Sequence, residues 1–131
     1  MAAEPTNSKR SLVVEDDSLT REALENILRG AGYSASGAAE GEEALEHMRC
    51  PPLPDLVLLD LLMSGMDGWH FRREQRRDAA LAGVPVIVCS GTGDADLHAA
   101  ALGAAGFLDK PFDPDRLLEL VARVLRQATE F

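Results

Sequence analysis

The sequence predicts an α/β domain built around a parallel five-stranded sheet, and three observations point there. Short apolar runs alternate with longer amphipathic stretches, the pattern of successive βα units. The 131 residues suit one domain. A composition of 46 % hydrophobic and 27 % charged residues suits a globular core that needs neither metal nor disulfide.

Residues 11–15 (SLVVE) read as the first strand. Asp17 and Ser18 then offer capping oxygens to a helix whose Leu24, Ile27 and Leu28 fall at helical spacing, before Gly30 and Gly32 stop it. Residues 33–38 form a weaker strand of small residues, expected near a sheet edge. Residues 41–49 place Ala44, Leu45 and Met48 on one helical face, and Pro51, Pro52 and Pro54 end that helix. Residues 55–60 are the strongest strand. A third helix is expected over 67–78, capped by Asp67, but its apolar stripe is thin: Arg72, Gln75 and Arg76 stand where it should continue. A fourth strand over 84–90, an Ala-rich helix over 94–102 and a fifth strand over 106–110 follow. In the last helix Asp113 caps, Pro114 opens, and Leu117, Leu118, Val121, Val124 and Leu125 face inward.

The balance of 13 basic against 22 acidic residues, a net charge of −9, argues against direct nucleic-acid binding, which needs clustered cations. Cys50 and Cys89 make no disulfide framework and suit a reducing, cytoplasmic setting. Apolar runs are too short to span a membrane. Residues 1–10 are polar, lack the core of a signal peptide and read as a disordered leader to a domain over 11–131.

In a doubly wound sheet, ligands bind beyond the carboxyl ends of the strands. The residues closing the strands are Glu15, Asp16 and Asp17, then Asp60, Ser90 and Lys110. Asp60 is the one charge in residues 56–63 (LVLLDLLM), where a lone buried carboxylate costs several kcal/mol unless paired or metal-bound. A carboxylate capping the next loop, or paired with one lysine, is the plainer alternative. Glu15 and Asp16 on the neighbouring strand favour the richer reading, because converging carboxylates repel unless a hard divalent cation such as Mg²⁺ lies among them. Asp17 alone is explained by a helix start. Lys110 lies where it can reach Asp60 or a phosphoryl group on it, and Ser90 adds a hydroxyl that would otherwise be a simple turn residue.

These residues resemble the receiver domain of two-component response regulators, over essentially 11–127. The motifs are Val13-Val14-Glu15-Asp16-Asp17, Leu59-Asp60-Leu61-Leu62-Met63-Ser64-Gly65-Met66-Asp67-Gly68, Val88-Cys89-Ser90-Gly91 and Gly106-Phe107-Leu108-Asp109-Lys110-Pro111-Phe112. From Asp16 the steps are 44 residues to Asp60, 30 more to Ser90 and 20 more to Lys110. The resemblance implies a flavodoxin-like receiver fold with strand order 2-1-3-4-5. It implies that Asp60 accepts a phosphoryl group from a histidine kinase or histidine phosphotransfer protein. It implies Mg²⁺ on Asp16, Asp60 and the Leu62 carbonyl, with Glu15 acting through water, and a phosphoryl contact from Lys110. It also implies a cis Lys110–Pro111 bond and a switch made by Ser90 and Phe107, which would alter the face of the fourth helix, fifth strand and fifth helix. Leu62 and Thr92 take the positions that tune hydrolysis, and an apolar Leu62 predicts a long-lived phosphoryl group. The protein would then catalyse only its own phosphorylation and dephosphorylation.

Two departures carry expectations of their own. Ser64, where the family usually has proline, predicts a less rigid loop after Asp60. Phe107, lacking a phenolic hydroxyl, is expected to sit inward more readily than tyrosine. The cluster Arg72, Arg73, Arg76 and Arg77 reads either as a solvated face or as a docking surface for an acidic partner or dimer contact. A dimer formed on phosphorylation and an unidentified downstream protein target complete the expected partners. His47, His70 and His98 lack metal-ligand spacing and read as surface or helix residues. The other readings are a receiver excised from a larger regulator or hybrid kinase, an aspartyl-phosphate phosphatase, and a flavodoxin-like electron carrier. The phosphatase would need an acid at Leu62. The electron carrier would need a phosphate-cradling loop where Glu15-Asp16-Asp17 stand.

Overall fold

The computed structural model describes residues 9–111 and 113–129. Its elements run β1 (Arg10–Val14), α1 (Ser18–Gly30), β2 (Ser34–Ala38), α2 (Gly41–Arg49), β3 (Leu56–Asp60), α3 (Gly68–Arg77), β4 (Val86–Ser90), α4 (Ala95–Leu102), β5 (Gly106–Asp109) and α5 (Pro114–Thr129). The sheet is parallel throughout, in the order β2-β1-β3-β4-β5. All ten expected elements form, with ends shifted by a residue or two. The expected leader lies outside the described residues except at its end, where Arg10 opens β1 instead and donates its N–H to Asp55 at 2.8 Å.

The central strands β3 and β4 are buried along their whole length, as a sheet covered on both faces demands. Alternation then sorts the side chains. Leu12, Val14, Val57, Leu59, Val86 and Val88 pack with α2, α3 and α4. Val13, Leu58, Ile87, Cys89 and Leu108 pack with α1 and α5. Continued by two, the second set leads to Glu15, Asp60 and Lys110, and the first leads to Ser90. Strand period thus places the carboxylates and the lysine together at one edge and the serine across the sheet from them.

The thin stripe of α3 has an explanation. Phe71, Arg72 and Gln75 are all buried, and the two polar ones are satisfied internally. Gln75 donates its amide to Leu81 O and Val84 O, both at 3.0 Å, and accepts from Arg72 at 2.8 Å. Arg72 also donates to Leu102 O at 3.0 Å and Gly103 O at 2.9 Å, capping the carboxyl end of α4. Half of the arginine cluster is therefore structural. Arg76 leans on Leu102 O as well, at 3.3 Å, and Arg73 and Arg77 are exposed.

Candidate functional site

The site begins with the turn after β1. Val14 pairs with Leu59, so the next residues along each strand, Glu15 and Asp60, stand side by side. Asp17 is the helix cap: its carboxylate accepts from the Thr20 hydroxyl at 2.5 Å and from Thr20 N–H at 2.9 Å, and these bonds hold its pKa below the ordinary value. Asp17 thus serves α1, which leaves Glu15, Asp16 and Asp60 with oxygens all within 4.8 Å of one another. Glu15 and Asp60 are buried, at 3 % and 7 % exposure, and Asp16 opens to solvent.

Lys110 completes the edge. Its backbone N–H donates to Ser90 O at 2.7 Å, which continues the β4–β5 ladder and carries its ammonium over the carboxylates. The ammonium lies 2.6 Å from Glu15 and 3.5 Å from Asp60. Burial alone would lower the lysine pKa, but the bond to Glu15 and the neighbouring negative charges raise it. The sequence offered Asp60 as the lysine's partner, whereas the tighter contact is to Glu15. Asp60 is left with excess negative surroundings: burial first, and the Glu15 carboxylate second, push its pKa up to about 6. The Leu62 N–H bonded to it and the Lys110 charge oppose that shift only in part. Three hard oxygen donors around an under-neutralised carboxylate fit a small divalent cation.

Backbone hydrogen bonds tie the loop after Asp60 to neighbouring elements. Ser64 N–H, which a proline would lack, donates to Asp16 at 3.2 Å, and Met66 N–H donates to Glu40 at 3.2 Å. Gly41 N–H donates in turn to Met66 O at 2.8 Å. Gly68 closes the loop: a side chain there would meet Asp60 O at 2.6 Å, so only glycine lets α3 begin this close to the carboxylate strand. Leu62 is 65 % exposed beside the site. Lys110–Pro111 is cis, as expected. Cys89, next to Asp60 on β4, is no nucleophile, because burial pushes its thiol up to about 12.

Ser90 is buried and turned toward Thr92, with the two hydroxyls 2.8 Å apart. Thr92 donates to Asp94, which also accepts from His98 at 3.1 Å. The sequence reading left Asp94 and His98 as ordinary helix residues, and only their i, i+4 spacing on a short helix hinted at the pair. Phe107, expected to sit inward, is 38 % exposed and lines a groove with Ala100, Ala104, Arg116, Glu119 and Arg123.

Strand order and carboxyl-edge residues together define a flavodoxin-like receiver fold. Residues 11–122 match the response regulator receiver domain, and the chain belongs to that family of two-component signal transduction. It is 40 % identical over 121 residues to the DNA-binding response regulator MtrA of Mycobacterium bovis, covering 91 % of this chain and 50 % of MtrA. A crystal structure of a putative response regulator from Chloroflexus aurantiacus superposes with a TM-score of 0.85 at 35 % identity, covering 91 % of this chain and 98 % of that one. The signal receiver domain of a histidine kinase from Syntrophus aciditrophicus gives 0.84 at 29 % identity, with 95 % of both chains covered. The chain spans about half the length of the curated relatives it matches. Among the described residues no helix is long and apolar enough to cross a membrane.

Proposed function

We propose that the domain over 11–131 is a phosphoacceptor in a two-component or phosphorelay system, with Asp60 as the accepting residue. The observation that carries this reading is the convergence of Glu15, Asp16 and Asp60 under an ammonium 3.5 Å from Asp60. An Asp60 oxygen attacks the phosphorus of a phosphohistidine on a kinase or phosphotransfer protein. The new O–P bond forms as the P–N bond breaks, and the imidazole nitrogen keeps the electron pair. Lys110 then exchanges part of its hold on Glu15 for a phosphoryl oxygen, and positioning with fixed charge does most of the work.

Asp16, Asp60 and the Leu62 carbonyl are the groups that would hold Mg²⁺, with Glu15 acting through water. When bound, the ion supplies positive charge where the phosphoryl oxygens gather negative charge. Ser90 is the switch residue: its hydroxyl leaves Thr92 for a phosphoryl oxygen, and Phe107 turns from the groove into the space vacated. The half-length match to MtrA and the likeness to a histidine kinase's receiver support the second reading, a domain that works inside a longer protein.

Phosphotransfer from a phosphorylated histidine kinase or phosphotransfer protein tests the function. Wild type becomes labelled in Mg²⁺ and Asp60→Asn does not; equal labelling removes the proposal. The Leu62 side chain offers no polar atom to orient a hydrolytic water, so the phosphoryl group should last minutes or longer. A decay within seconds in Mg²⁺ would show that another group positions that water.

A further inference from the structure

The face of α3 away from the phosphoacceptor edge carries positive charge that, among the described residues, the molecule neutralises only at Arg77, through Glu74. Arg72, though buried, bonds only to neutral oxygens, namely Leu102 O, Gly103 O and Gln75 Oε1. The carbonyl end of α4 offsets about half a charge there. Arg76 also meets Leu102 O, and its own charge bears on Arg72, adding to burial in lowering the Arg72 pKa. Arg73 is exposed, with no side-chain hydrogen bond or ion pair among the described residues, and Arg77 has one exposed contact to Glu74 at 3.3 Å. With Trp69 and Leu102 these four arginines line a groove of about 300 Å³ on a chain whose net charge is −9.

Charge selects the occupant. A two-fold contact centred on this patch would bring two arginine-rich faces together, which is repulsive. The arginines span about 8 Å of helix, too short a track for a duplex backbone on an otherwise acidic protein. An acidic helical segment of a partner protein fits instead. Carboxylates three or four residues apart would meet Arg73 with Arg76 or Arg77, and one apolar side chain would enter between Trp69 and Leu102.

The groove is also wired to Ser90. The Asp94 carboxylate can only accept, so Thr92 spends its one hydroxyl proton on Asp94, and Ser90 must be the donor to Thr92. Asp94 also holds His98, whose ring stands at 89° to Trp69 with centroids 4.7 Å apart. A continuous chain therefore runs from Ser90 through Thr92, Asp94 and His98 to the groove wall.

We propose that the Trp69–Arg73–Arg76–Arg77 groove docks an acidic helical segment of a partner protein and does so most tightly in the unphosphorylated state. The state dependence rests on the Asp60 reading: once Ser90 turns to a phosphoryl group, Thr92 loses its donor and the wall loosens. By reciprocity the bound segment opposes phosphorylation.

Fluorescence anisotropy tests this with the whole chain and a fluorescein-labelled peptide of Glu, Ala and Leu, its Glu residues spaced i, i+4. Wild type binds it, and the double variant Arg73→Glu, Arg77→Glu, altered only at exposed positions, binds about tenfold more weakly. Adding Mg²⁺ and beryllofluoride, a phosphoryl mimic, weakens wild-type binding about threefold and leaves Thr92→Val unchanged. Equal binding by wild type and the double variant, or by a peptide with Lys in place of Glu, overturns the groove. A ¹⁹F signal of beryllofluoride on Asp60 with unchanged peptide affinity overturns the coupling. Absence of that signal overturns the Asp60 reading and the state dependence with it, and the peptide titration then decides the groove alone.

Discussion

Arg72→Met lowers the stability of the domain by about 3 kcal/mol, measured by urea denaturation at neutral pH. Methionine keeps the apolar stem but removes the planar fork that ties three oxygens on two elements. Gln75 is fully buried and both its amide hydrogens are committed to Leu81 O and Val84 O, so its own oxygen loses the partner that Arg72 supplied. The last carbonyls of α4 lose their cap at the same time. Arg72→Lys restores only part of the loss, because one ammonium cannot reproduce the fork. Arg73→Ala, on the exposed side of the same helix, changes stability by less than about 0.5 kcal/mol. Equal effects at the two positions would mean that the arginines act merely as a solvated face.

The second large effect has the opposite sign. In metal-free buffer at pH 7.5, Asp60→Asn raises stability by about 1–2 kcal/mol. Burial and the Glu15 charge lift the folded carboxyl to about 6, well above the 3.8 of an unperturbed aspartate. The folded state therefore holds this proton more tightly than the unfolded state. Its contribution to stability is complete below pH 3.8 and is lost as pH rises through about 6. The shift alone corresponds to at most about 3 kcal/mol, and loss of the 3.5 Å contact to Lys110 offsets part of that. The advantage of Asn over Asp should hence grow between about pH 4 and pH 6 and vanish below. Mg²⁺ reverses the order, raising the melting temperature of wild type more than that of the variant. A variant less stable than wild type without metal would mean that Lys110 stabilises the Asp60 charge more than burial and Glu15 oppose it.

Both effects mark where the sequence was and was not readable. The five βα units were legible because strand and helix periods differ, and the period of two also put Glu15, Asp60 and Lys110 on one face. Arg72 and Gln75 were not legible. They look like a broken stripe in one dimension, and only the end of α4, some 30 residues on, explains why a guanidinium belongs in the interior. Ser64 was read only as a lost proline, and the N–H it returns to the backbone reaches Asp16, 48 residues away, a contact no local pattern shows. Phe107 was placed by its own apolarity, whereas it is 38 % exposed along a groove formed by α4, β5 and α5. Lys110 was assigned to Asp60, and the shorter bond goes to Glu15, a choice between adjacent carboxylates that spacing cannot make.

The most direct test of the central claim is chemical trapping of the phosphorylated residue. Wild type is phosphorylated in Mg²⁺ by a small-molecule phosphodonor, reduced with borohydride and mapped by peptide mass, since an acyl phosphate on aspartate becomes homoserine. Homoserine at position 60 alone, and none in Asp60→Asn, is the result expected here. Homoserine at position 16, or a phosphoryl group that resists reduction, would contradict the assignment of Asp60 as the phosphoacceptor.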